Sequence, residues 1–487
     1  MRQRTWVKGL GAMALAAMVV PGAALAGGFE VGVNGALATS RGGAFTVRAD
    51  DVTALAHNPA GLIKLRGTQL QLSHNTVHAP ATFTRAVTDI PHGANPAGTD
   101  PNAPVSNEAP WFALGGLAMV ASDFGMENWT FAAGLYGPSA SGAQRWPETG
   151  GQRYMLTQLD VMLVYYSVAA AWGKRDHYGL GLTLQAAHEP QTNLKLVVDG
   201  TTGGDLAPYY NATDVVSEIR LSAPPAFTAI VGGWLRLDDH WELGASGRVV
   251  PAYLHGKGDF TLANTTTGSQ FKAEQLAVAG SAAKLDLVIP PTAQLGVRYR
   301  SLDGDRERWD LELNAVYEAW SMLKDYKVDL DGTIKLFAAA EAPTVVIAKN
   351  WQDTLALRLG GSYHLADLPL SLSAGSFVES GAVPRNYSHL DFTSFNRLGL
   401  GAGVQGHFGN LDLQLAYAHV FQEDRMVSEE FGKVYQQRAL AMCPDSCKGP
   451  GGVRYDGAPA NAGKFETSFD FFSVAAVWRF GGAAVGR

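Results

Sequence analysis

Few residues in this chain are placed to do chemistry. His188, His255, His364, His407 and His419 fall in segments that read as strands, and no Ser or Asp stands beside them at a spacing that marks a nucleophile with its base. Gly399-Leu400-Gly401-Ala402-Gly403 has the glycines of a nucleotide loop, yet it lies in a strand with no helix after it. Cys443 and Cys447 bracket a short Pro-containing loop, and in an oxidising compartment they are expected to form a disulfide. No His lies near them, so a metal site would lack ligands. No pattern calls for a cofactor. The formal charge of −7 argues against a nucleic-acid partner. The chain therefore does not read as an enzyme, and a surface barrel hydrolase is kept only as an alternative.

The elements that would position these residues begin after a removable leader. Arg2, Arg4 and Lys8 precede an apolar core from Leu10 to Val20, and Ala24-Leu25-Ala26 supplies a cleavage pattern, so residues 1–26 read as a signal peptide. Its removal takes away three bases and no acid, moving the formal charge to −10. Apolar residues make up 46% of the chain, but no later stretch is long and charge-free enough for a spanning helix. Period-2 alternation is the repeated signal. Leu411, Leu413, Leu415 and Tyr417 alternate with Asp412, Gln414 and Ala416, and Leu311, Leu313, Ala315 and Tyr317 alternate with Glu312, Asn314 and Val316.

Fourteen such strands are expected, at 68–77, 111–121, 129–136, 154–172, 178–188, 226–237, 241–255, 285–300, 309–322, 354–365, 368–377, 396–408, 411–422 and 468–480. Short Gly-, Asp- and Asn-rich turns alternate with long polar loops, the asymmetry of an antiparallel transmembrane β-barrel whose short turns and termini face the periplasm. Trp129, Trp172, Trp234, Trp241, Trp309 and Trp478 fall near the short-turn ends, and Trp111, Trp320 and Trp351 near the other, as two aromatic girdles would require. The barrel is expected over 67–480, with a tail at 481–487.

Residues 27–66 fit neither a helix nor a strand. They are rich in Gly and Ala, and Asn58-Pro59-Ala60 fixes a local turn; the segment either dangles or plugs the lumen. The order of a Phe near the mature start, Ala49-Asp50-Asp51 and then Asn58-Pro59-Ala60 resembles the N-terminal hatch of the FadL family of outer-membrane long-chain fatty acid transporters. Leu287-Val288-Ile289-Pro290, Gly296, Tyr317 to Trp320-Ser321, Leu359-Gly360 to Tyr363, and Arg397-Leu398 to Gly401 extend the resemblance over nearly the whole mature chain.

The resemblance implies a monomeric fourteen-stranded barrel in the bacterial outer membrane, in contact with outer-membrane lipid and lipopolysaccharide. A hatch would close it and rearrange to pass a long-chain fatty acid or similar hydrophobic molecule. Phe29 matches the family's hatch Phe and is placed to touch the tail. Gly134, Gly137 and Pro138 stand where the family's third strand is kinked, with the plain start of the second long loop as the competing reading for Gly137-Pro138. For the carboxylate, Lys195 and Lys349 are the nearest basic residues to the expected positions, and solvated loop charges are the competing reading. Without a cation at the site, a neutral aromatic or alkane hydrocarbon becomes the ligand. An open porin and an adhesin are the remaining alternatives.

Overall fold

The computed structural model describes residues 28, 33–86, 100, 102–137, 143–199, 213–266, 271–336, 339–342, 344–437 and 459–480. The leader, Phe29, Pro138, Cys443, Cys447 and the tail lie outside the described residues.

Alternation of apolar and polar side chains gives each strand one face for lipid and one for the lumen, and fourteen strands close on themselves. They are β1 (Thr68–His78), β2 (Trp111–Ser122), β3 (Trp129–Tyr136), β4 (Gln158–Lys174), β5 (Tyr178–Asp199) and β6 (Asp214–Arg236). β7 runs in two pieces (Trp241–Arg248 and Ala252–Asn264), as does β8 (Ala279–Ile289 and Thr292–Asp303). β9 (Arg306–Glu318), β10 (Thr354–His364), β11 (Leu370–Glu379), β12 (Arg397–Phe408), β13 (Leu411–Gln422) and β14 (Gly463–Phe480) complete the wall. Every neighbouring pair is antiparallel, and β14 meets β1 from Thr68 opposite Phe480 to His78 opposite Asp470. The expected facing holds: Leu413 and Leu415 are 45% and 56% exposed, while Asp412 and Gln414 are 1% and 3% exposed.

Prolines explain most departures from the expected strand ends. β5 continues past His188 to Asp199 and β6 begins at Asp214, twelve residues before the expected start, because the hairpin projects beyond the lipid and takes up Pro190, Pro224 and Pro225 at irregular pairings. β7 and β8 break side by side at Pro251 and at Pro290-Pro291, where a ladder donor is missing. β9 ends at Glu318, and Trp320–Met322 turn in a short 3-10 helix.

Three tryptophans depart from the girdle expectation. Trp320 and Trp351 are each 1% exposed and pack edge to face at 5.3 Å among the long-loop elements. Trp234 is 3% exposed and turns into the lumen, where Lys64 sits over its ring. Trp111, Trp129, Trp172, Trp241 and Trp309 do face outward.

The segment from Val33 to Leu65 fills the lumen on the short-turn side. It forms α1 (Ala36–Ser40), α2 (Ala54–His57) and a 3-10 helix over Pro59–Lys64. Nearly all of its side chains are buried, and they form one cluster with inward residues of the wall.

Candidate functional site

The lumen changes character along its axis. On the short-turn half, inward positions carry Glu242, Arg298, Asp310, Glu312 and Asn314, all buried. On the long-loop half the same face carries Leu221, Leu254, Leu285 and Val288, which join Trp320, Leu323, Val328 and Trp351 in a continuous apolar layer.

The N-terminal segment is bolted to the charged half. Arg41 donates to Asp310 Oδ2 at 2.8 Å and to Ser362 Oγ at 2.8 Å. Arg48 donates to Asp310 Oδ1 at 3.2 Å and to Ser362 Oγ at 2.7 Å. The backbone N–H groups of Val47 and Arg48 donate to the two oxygens of Glu312 at 2.8 and 3.0 Å. Each buried charge therefore has an opposite partner and hydrogen bonds, the condition under which burial is tolerated.

The Asn58-Pro59-Ala60 turn is a second attachment. Asn58 caps the 3-10 helix, its Oδ1 accepting from Ala60 N at 3.1 Å, with Pro59 at the first helical position. Its Nδ2 donates to Thr46 O at 2.8 Å within the segment and to Gly233 O at 3.1 Å on β6. The wall makes room with glycine: a Cβ on Gly181 would lie 2.2 Å from Pro59 C, and one on Gly232 would lie 2.0 Å from Asn58 Oδ1. Lys64 donates to the carbonyls of Val47 and Arg48 at 2.5 and 2.7 Å, and burial pushes its amine down to about 8.

Two further titratable groups are enclosed in the segment. Burial pushes the Asp51 carboxyl up to about 6, against the hydrogen bonds it accepts from Thr53. Burial also pushes the His57 imidazole down to about 4, with its Nε2 2.7 Å from Asn34 O.

On its long-loop side the segment borders a polar cavity of about 100 Å³. Asn34, His57, Arg248, Gln294, Glu318 and Arg358 line it, together with Tyr136 and Tyr165, whose rings belong to the apolar layer. An amphiphile could place its polar end here and its tail among the apolar residues.

The wall is thinned at β3. This strand pairs with β4 along its whole length but with β2 only from Phe131 to Leu135. Among the described residues, the stretch of β2 from Trp111 to Leu117 is paired on one side alone, by β1. Next to it, where β2 and β3 are still paired, an open depression of about 690 Å³ is lined by lipid-facing Leu135, Tyr166 and Phe227 and by lumen-facing Met119 and Gln185. Gly134 stays in the ladder on both sides and faces inward, where a Cβ would lie 2.8 Å from Met119 Cγ and 3.1 Å from Leu55 Cδ2 of the segment. Pairing ends two residues later at Tyr136, one residue before Gly137.

Neither lysine singled out from the sequence is a solvated loop charge. Lys349 is 1% exposed, bonded to Asp391, with its Nζ 4.5 Å from the Tyr326 ring centroid. Burial pushes its amine down, and Asp391 draws it back only in part. Burial alone would raise Asp391, but His389, 2.8 Å away, and Lys349 together hold it well below the carboxylate range. Lys195 is half-buried on the projecting part of β5, opposite Glu218 of β6 at 3.5 Å. The structure brings neither lysine into the lining of the polar cavity. The cations that do line it, Arg248 and Arg358, and the anchoring Arg41 and Arg48 went unassigned from sequence. Two arginines in a Gly- and Ala-rich segment were the available signal for the latter pair.

The family model described as outer membrane protein transport protein (OMPP1/FadL/TodX) matches residues 17–443. Among solved structures, a Pseudomonas aeruginosa FadL homologue is 17% identical, with a TM-score of 0.73, covering 93% of this chain and 100% of that one. The Pseudomonas putida toluene transporter TodX is 14% identical at a TM-score of 0.63, covering 93% and 99%. The Ralstonia pickettii toluene transporter TbuX is 12% identical at 0.60, covering 92% and 98%. No curated protein matches. A closed fourteen-stranded wall, a lumen divided between apolar and charged halves, and a family match over most of its length have one reading: the chain belongs to the OMPP1/FadL/TodX family of outer-membrane transporters for hydrophobic molecules.

Proposed function

We propose that this barrel carries long-chain fatty acids or similar amphiphiles inward by facilitated diffusion, with residues 27–66 acting as the hatch. The observation that carries this reading is the polar cavity lined by Arg248 and Arg358, set between the buried segment and the apolar layer. A guanidinium is the side chain suited to a carboxylate, and the apolar layer compensates the tail for leaving water. Asn58, Pro59 and Ala60 would hold the hatch until ligand competes for the space around it. The thinned wall at β3, with Gly134, Gly137 and Pro138, would complete the route. Phe29 would meet the tail, Cys443 and Cys447 would brace the last long loop, and the barrel would work as a monomer among lipopolysaccharide, after cleavage at residue 26. Transport of this kind makes and breaks no covalent bond.

A second reading, a neutral aromatic or alkane ligand, is favoured by Lys349, whose charge is engaged by Asp391. The first experiment is uptake of labelled oleate by cells lacking their own transporter, with surface folding of this chain confirmed. Uptake above the empty vector, reduced about tenfold in Arg248→Gln, supports the carboxylate reading; a tenfold loss corresponds to about 1.4 kcal/mol, close to the lower edge for one charge-assisted hydrogen bond. Uptake of toluene but not oleate moves the assignment to the neutral class.

A further inference from the structure

On the periplasmic side of the lumen, a serine stands between two imidazoles. Ser371 Oγ lies 2.9 Å from His407 Nε2, and His407 Nδ1 lies 3.0 Å from Asp412 Oδ1. The three residues come from β11, β12 and β13, and His407 is directly opposite Asp412 in the ladder. A second histidine, His364 of β10, places Nδ1 2.7 Å from the same Ser371 Oγ.

Proton positions follow from what each group can donate. A carboxylate only accepts, so His407 Nδ1 must carry the proton shared with Asp412. Nε2 of the neutral ring is then an acceptor, and the Ser371 hydroxyl has to donate to it. With its proton given to His407, Ser371 Oγ is left to accept from His364 Nδ1, whose Nε2 lies 3.7 Å from Glu307 Oε1. That is the polarity a serine nucleophile requires: a base on its proton, and the base oriented by a buried acid. Asp412 is 1% exposed and its other oxygen accepts from Gln405 Nε2 at 2.9 Å and from Arg479, so the carboxylate cannot turn away.

Ser371, 1% exposed, with His407 and Asp412 lines a chamber of about 750 Å³ at the periplasmic mouth, which Arg300, paired with Glu307, and Arg479, paired with Asp412, also line.

We propose that Ser371, His407 and Asp412 form an acyl-hydrolysis site for small carboxylic esters in the periplasmic vestibule. Ser371 Oγ adds to the ester carbonyl while His407 Nε2 takes the hydroxyl proton. The acyl carbon–alkoxy bond then breaks, and the alcohol leaves with that proton. Water adds to the acyl-serine, gives one proton to His407 Nε2, and the acid departs as Ser371 regains its hydroxyl. One ester and one water become one acid and one alcohol. Ser371 and His407 are the catalytic residues, and Asp412 is a positioning residue that acts through His407.

The test uses the full-length barrel in detergent, its folding checked by heat-modifiable migration. The probes are a fluorophosphonate, with the labelled peptide mapped by mass spectrometry, and p-nitrophenyl acetate. The expected result is covalent labelling at Ser371 and ester hydrolysis that Ser371→Ala removes. His407→Gln should lower the rate about as far as Ser371→Ala does, and Asp412→Asn should shift the pH midpoint of labelling as well as slow it. A folded wild-type barrel that takes no label, or one labelled elsewhere, overturns the proposal. Peptide mapping decides this on the wild type even if a variant fails to fold.

Discussion

Replacing Asn58 tests whether the N-terminal segment is a separately seated unit. The side chain makes three buried hydrogen bonds, to Ala60 N, Thr46 O and Gly233 O, at 3.1, 2.8 and 3.1 Å. At about 1 kcal/mol net for each, Asn58→Ala should weaken seating by roughly 3 kcal/mol, a rise of about 100-fold in the unseated population. Asn58→Asp separates the roles further. Aspartate caps a helix as well as asparagine does, so an effect through the cap alone would leave it silent. Here it would turn a donor into an acceptor facing two carbonyls, so it should cost more than alanine. Hydrogen exchange read by mass spectrometry is the assay, comparing peptides over 45–64 with peptides from β12 and β13. Faster exchange confined to the segment, with heat-modifiable migration retained, is the expected outcome. Equal exchange in all three proteins, or loss of protection throughout the wall, would refute the reasoning.

Gly181→Leu should unseat the same turn from the wall side, because its first side-chain carbon would already stand 2.2 Å from Pro59 C; proteolysis of the segment in folded barrels is the readout. The pH response of seating should be the sum of two opposed limbs. His57 has a folded value of about 4 against 6.5, so the unseated state binds more protons between them and seating strengthens as pH rises through that window. Asp51, about 6 against 3.8, does the reverse, and seating weakens as pH rises from 3.8 to 6. His57→Gln should leave a falling profile and Asp51→Asn a rising one, in exchange rates corrected for intrinsic pH dependence. Lys349→Met should destabilise the long-loop cluster by less than the roughly 3–5 kcal/mol of a fully stranded buried charge, because His389 stays 2.8 Å from Asp391, and the double variant Lys349→Met/Asp391→Leu should recover much of the loss, as a shift in the thermal midpoint would show.

The strands were legible because alternation is local: β3 and β13 have the bounds their residues announce. Pro190, Pro224 and Pro225 concealed the projecting hairpin, since sequence alone does not reveal which prolines fall at irregular pairings. Trp234, Trp320 and Trp351 stand at girdle heights along the chain, but the side to which each points depends on register. The Asn58-Pro59 turn could be read from cap chemistry. Arg41 and Arg48 could not be assigned partners, because Asp310 lies 269 and 262 residues away from them. The Ser371–His407–Asp412 arrangement was likewise hidden: it exists only once β11, β12 and β13 are aligned.

The mutual neutralisation of Arg41, Arg48 and Arg298 against Asp310, Glu312 and Glu242 bears on the envelope as a barrier. A hydrophilic antibiotic or an inorganic ion entering this lumen from outside would first lose its water to an oily layer. It would then meet, in this cluster, charges already paired with one another. Both stretches reject it for the same reason, the cost of dehydrating a charge without compensation. A cell can therefore raise the copy number of such a protein without making its surface leakier to salts or polar drugs, which is a freedom a water-filled pore does not give it.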